Sequence, residues 1–115
     1  MSTEVLEASV SEANPVMSDL LSCMDQAVQA VDKYVAAAKS ALAVRLSVDG
    51  KIDRKLMDSE QHAAHGFGWI ATYGETLRET AAWAHHLSDE GKFGEIEQLL
   101  CQILFAEYCA QLIGG

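Results

Sequence analysis

The chain has 115 residues, half of them hydrophobic, which suffices for one hydrophobic core and not for two. Its formal charge of −9 and pI near 4.7 argue against a protein that grips a nucleic-acid backbone. A single proline and the lack of alternating β-branched runs exclude an extensive sheet, so the expected class is all-α.

Residues 1–13 are small, acidic and polar, with Val5, Leu6 and Val10 as apolar anchors. They read as a flexible acidic tail or a short fourth helix, and they lack the positive n-region of a signal peptide. No apolar run is long enough to span a bilayer, so a soluble, cytoplasmic protein is expected, with no membrane and no nucleic-acid partner. Residues 14–115 form the expected bundle domain. Asn14-Pro15 is a suitable helix start, because asparagine caps and proline fits the first turn. From there one helix is expected to about Leu46, with Leu20, Met24, Ala27, Val31, Ala38 and Leu42 at helical spacing. The turn Val48 to Lys51 ends it, with Gly50 in the left-handed position.

Asp53 should cap a second helix that continues to about Ser88, with a kink at Gly66 to Gly68 as the alternative. Trp69, Tyr73, Leu77, Thr80 and Ala84 recur at steps of three and four and predict its inner stripe. Gly66, Gly68 and Gly74 disfavour this helix by about 3 kcal/mol in total relative to alanine. Their retention predicts a face for close helix approach, in this chain or from a second copy. A short connection at Asp89 to Gly94 then forces antiparallel neighbours. The third helix, from about Phe93, is apolar over more than half its circumference, with Leu99, Ile103 and Ala106 on one side and Leu100, Leu104 and Phe105 on another. It must be buried between helices or against something outside this chain. The expected architecture is an antiparallel bundle of three long helices, completed by a second copy or by a missing downstream domain. The stop at Ile113-Gly114-Gly115 right after an apolar segment suggests truncation at the C-terminus.

Candidate chemistry is sparse. His62 and His65, with Asp58 and Glu60 nearby and positions 58, 62 and 65 on one helix face, are the candidate metal ligands. The paired Glu-x-x-His motifs of di-iron bundles and the HExxH of metalloproteases are absent. Helical histidines that pack or face solvent are the commoner case. His85-His86 sit in a last helical turn, where the helix dipole favours a cation. Phe67, Trp69, Tyr73 and Trp83 could line a flat-ligand pocket, although such stripes more often form core. Cys23, Cys101 and Cys109 fit no disulfide framework or zinc motif and are expected as free, unreactive thiols. Catalytic and cofactor-binding residues are not expected in this chain. The packing or interface candidates are Gly66, Trp69, Tyr73, Gly74, Ile103, Leu104 and Tyr108.

Three segments carry a resemblance. His65, Trp69, Ala71, Thr72 and Tyr73 match an H-x-x-x-W-x-A-T-Y segment, and Phe93 to Gln98 match F-G-E-I-E-Q. Ala106-Glu107-Tyr108, Gln111 and Gly114-Gly115 match G-E-Y-x-x-Q-x-x-G-G, with alanine in place of its first glycine. Together they resemble the N-terminal extension of the methylsuccinyl-CoA dehydrogenase-like subgroup of acyl-CoA dehydrogenases. The resemblance implies a parent flavoenzyme that binds FAD and oxidises an acyl-CoA thioester at its α,β-carbons, its catalytic glutamate and flavin contacts lying in later domains. The implied role for this chain is a non-catalytic packing or oligomerisation domain, with partners in the dehydrogenase body or a second subunit. The alternatives are a stand-alone helical bundle serving as an interaction or small-ligand module, and a metal- or haem-binding bundle using His62 and His65.

Overall fold

The computed structural model describes residues 14–114; the acidic tail of residues 1–13, with the short helix allowed there, and Gly115 lie outside the described residues. The order is α1 (Leu20–Leu46), β1 (Ser47–Val48), β2 (Lys51–Ile52), α2 (Arg54–Ser59), α3 (Gln61–Asp89) and α4 (Glu95–Gly114). The class is all-α, and α1, α3 and α4 are the three long helices expected.

α1 begins at Leu20, not at Asn14-Pro15. Asn14 does receive a hydrogen bond, its Oδ1 accepting from the Val16 N–H at 3.0 Å, but only as a local turn. The next backbone groups are taken by α4: Gln102 Nε2 donates to the Pro15 carbonyl and Gln102 Oε1 accepts from the Met17 N–H, both at 3.0 Å. With those groups satisfied across the bundle and Val16 buried, the helix starts one turn later.

α1 ends in a minimal antiparallel hairpin, Ser47 opposite Ile52 and Val48 opposite Lys51. Asp49 (φ 53°) and Gly50 (φ 79°) both take the left-handed region, which an Asp-Gly pair tolerates and a tight hairpin needs. Asp53 caps α2 as expected, its Oδ1 accepting from the N–H groups of Lys55 (2.7 Å) and Leu56 (3.3 Å).

The expected second helix is interrupted, but not at its glycines. The break falls at Glu60, between α2 and α3, and α3 runs unbroken through Gly66 and Gly68. Glu60 reaches back to α1, its Oε2 accepting from Arg45 Nη2 at 2.8 Å, and that tie holds the corner. At the far end Gly91 (φ 69°) closes α3, and the Lys92 N–H donates to the Leu87 carbonyl at 2.8 Å. α4 then folds back along α3.

Met24 of α1, Leu77 of α3 and Cys101 of α4 are almost fully buried at the centre, with Leu20, Val31, Ala81, Ala84 and Phe105 around them. Among the described residues no polar or charged residue is buried. Exposed polar ties also span the helices: Arg78 pairs with Asp32 and the His85 ring hydrogen-bonds Asp25 between α1 and α3, and Arg45 pairs with Glu60 at the α2–α3 corner. Each contributes little energy at such exposure.

Only one of the three glycines packs within this chain. A Cβ on Gly74 would lie 3.2 Å from both Val31 Cγ1 and Val35 Cγ2, whereas nothing lies within 4 Å of a Cβ on Gly66 or Gly68. Gly66→Ala and Gly68→Ala should therefore each stabilise by about 0.5–1 kcal/mol through helix propensity. Gly74→Ala should lose that gain against two stiff β-branched side chains and lower the melting temperature. Leu77→Ala should cost about 2–5 kcal/mol. Thermal melts followed by circular dichroism check all four.

Candidate functional site

The histidine cluster does not assemble as the sequence suggested. Asp58 belongs to α2 while His62 and His65 belong to α3, so the three do not share one helical face. His65 is already engaged: its Nε2 accepts a hydrogen bond from Trp69 Nε1–H at 3.0 Å. Among the described residues no three His, Cys, Asp or Glu side chains converge as metal ligands would. His85 has a structural partner, with Nε2 at 2.8 and 2.9 Å from the two Asp25 carboxylate oxygens of α1. Sequence reasoning placed His85 at a helix end and missed that bond, because Asp25 is 60 residues away.

The aromatic residues are neither a core nor an enclosed pocket. Trp69 is 54 % exposed and Trp83 44 % exposed, which corrects the expectation that the aromatic stripe forms core and the placement of Trp69 on the inner stripe. Of the expected stripe only Leu77 and Ala84 are buried; the other buried residues of this helix are Gly74 and Ala81, so α3 turns its small side inward and its indoles outward. His65, Trp69, Tyr73 and Tyr108 form a ladder of ring contacts with centroids 6.2, 5.8 and 4.8 Å apart. The ladder starts on the exposed face of α3 and ends where α3 meets α4. Tyr73 and Tyr108 thus serve the α3–α4 contact, and Trp69 reaches past it to solvent.

An apolar concave feature lies on the other side, between α1 and α4. Ala27, Ala30, Val31 and Tyr34 face Cys109, Leu112 and Ile113 across an apolar groove of about 430 Å³. A second depression, floored by Met24 and Phe105, continues it toward Met17 and Gln102. α1 and α4 are both packed on α3, and the groove lies where a fourth helix of a bundle would sit. Alanine and cysteine walls suit close helix packing. The groove was foreshadowed only by the alanine density of α1, which reads equally well as helix propensity.

Outside the groove α4 shows a second unpartnered face. Ile96, Leu100 and Ile103 are 70 %, 56 % and 60 % exposed, and Ile113, at the rim shared with the groove, is 88 % exposed. Leu104, by contrast, packs against the core. The expected burial of the third helix is thus met on one side alone.

The three cysteines are free. Burial raises the pKa of Cys101 and Cys109, and a hydrogen bond from the Cys23 thiol to Asp19 raises that of Cys23. A raised pKa lowers the thiolate fraction at any pH below it, so none is a poised nucleophile. Alkylation by iodoacetamide at pH 8 should be slower at all three sites than at free cysteine and slowest at Cys101. Unfolding in guanidinium should remove the difference, as mass spectrometry of timed samples would show.

No protein-family model matches the chain. Among curated proteins, 101 residues (88 % of this chain) are 46 % identical to a (2S)-methylsuccinyl-CoA dehydrogenase from Cereibacter sphaeroides. The match covers 18 % of that protein, so the chain spans about a fifth of the length of the relative it matches. The resemblance carried by the motifs between His65 and Gly115 is thereby borne out: this chain is similar to a segment of a methylsuccinyl-CoA dehydrogenase.

Proposed function

We propose that this chain is a non-catalytic helical domain at the N-terminus of an FAD-dependent acyl-CoA dehydrogenase-like enzyme, and that it serves packing or assembly. The 46 % identity over 101 residues to a fraction of a much longer dehydrogenase carries the reading. Two surface features support the packing role: the apolar α1–α4 groove and the exposed isoleucines of α4. In this reading the acyl-CoA substrate and the catalytic glutamate belong to the rest of the enzyme.

The groove does not fit FAD itself. Its walls are aliphatic, with the Tyr34 ring and the Cys109 thiol as the polar-bearing side chains. A flavin diphosphate needs cationic side chains or a cradle of backbone N–H groups at a helix start, and neither lines this groove. The cofactor therefore falls to the later domains in this proposal, and no chemical step is assigned to this chain. Cytoplasmic location belongs to the same proposal; no described helix is long and apolar enough to cross a membrane.

The groove also favours a second reading, a stand-alone bundle that takes a small apolar ligand. Intact mass and a visible spectrum of the protein as its own organism makes it separate the two. The dehydrogenase reading expects a yellow chain several times heavier than 12.5 kDa, with flavin absorption bands. A colourless protein of 12.5 kDa would overturn it and leave the ligand module.

A further inference from the structure

The exposed side of α4 carries a coiled-coil repeat. Ile96, Leu99, Ile103, Ala106, Ala110 and Ile113 follow each other at steps of three, four, three, four and three residues. That is the spacing of heptad positions a and d, sustained along almost the whole of α4. Cys101 and Phe105, on the opposite side, are buried in the core, and Leu99 also packs against it in part; Ile96, Ile103, Ala106, Ala110 and Ile113 are exposed and surplus to the fold of one chain. We propose that α4 pairs with α4 of a second copy, antiparallel and about a twofold axis, through this seam. The proposal deepens the packing role above by naming the partner and the register.

The seam points to a second copy because it complements itself. In an antiparallel pair, position a of one helix faces position d of the other. Centring the axis between Ile103 and Ala106 sets Ile103 against Ala106 of the second copy and Leu99 against its Ala110. Each large side chain then meets a small one, and the two terminal isoleucines, Ile96 and Ile113, close the ends together. No charged residue lies in the seam, and α4 carries no lysine or arginine. Glu107, which flanks the seam, falls beside Leu100 of the second copy and away from its own twin, so no like charges meet. The seam is about 26 Å long, on a helix some 10–12 Å across. The symmetric, self-complementary patch is what an isologous dimer requires.

Sedimentation equilibrium of this chain at micromolar concentration tests the pairing. The expected species is twice 12.5 kDa. Ile103→Asp should give a monomer of unchanged helicity, because Ile103 is largely exposed within one chain. Ala106→Leu tests the register: it should weaken the dimer at least tenfold, since leucine would collide with Ile103 of the second copy. A strict monomer in the unaltered chain would overturn the pairing, as would a dimer that survives Ile103→Asp. A dimer that tightens with Ala106→Leu would overturn the antiparallel register. None of these results bears on the mass and flavin measurement, so a monomer with a heavy yellow parent would sink the pairing and leave the dehydrogenase reading intact.

Discussion

At Gly74 the backbone of α3 passes so close to Val31 and Val35 of α1 that a single added carbon would touch both at 3.2 Å. That approach sets the distance between the two longest helices, and much of the remaining structure follows from it. It brings Leu77, Ala81 and Ala84 against Met24 and Val31. It also carries Arg78 to Asp32, and His85 to Asp25, one and three turns further along α3. α4 then lays Cys101 and Phe105 over the Leu77 region. A glycine that weakens an isolated helix becomes, in this setting, the residue that lets two helices share one core.

The helical class and the antiparallel connections were legible in the sequence because they rest on local chemistry. Asp53 as a cap, Asp-Gly at 49–50 and Gly91 as a left-handed terminus each act within a few residues of their own position. The failures were long-range. Nothing near Pro15 indicates that Gln102, 87 residues on, will take its carbonyl and postpone the start of α1. Glu60 gave no local sign of a break; its tie to Arg45 on α1 is a tertiary event. Periodicity found Leu77 and Ala84 of the inner side of α3 but set Trp69 and Thr80 beside them in place of Gly74 and Ala81. A stripe containing tryptophan looks like core, yet Gly74 and Ala81 turned inward and the indoles outward, because close approach excludes bulk.

The site was legible as a surplus of apolar surface and not as a shape. The excess on the third helix was visible by counting, and Ile103 does lie on an unpartnered face. Leu104 and Tyr108, one helical step away, are packed on the core and on Tyr73. The division between the two sides depends on where α3 lies, which only the fold supplies. The α1–α4 groove is likewise a product of arrangement, since its alanine walls carry no signature of their own.

The charged and polar ties are distributed unevenly. α1 and α3 are joined by Arg45, Arg78 and His85, whereas α4 carries no lysine or arginine and holds to the bundle by apolar packing, stacked tyrosines and the Gln102 hook. α4 also has fewer close neighbours in the bundle, since it makes its main contact with α3 while α1 and α3 pack along their length, so its opening is expected to be the easier one. In native-state hydrogen exchange the amides of α4 would report a sub-global opening that leaves the α1–α3 hairpin closed. α4 is thus the element of this fold that can lift away and re-dock, and it is also the element with two apolar sides to offer.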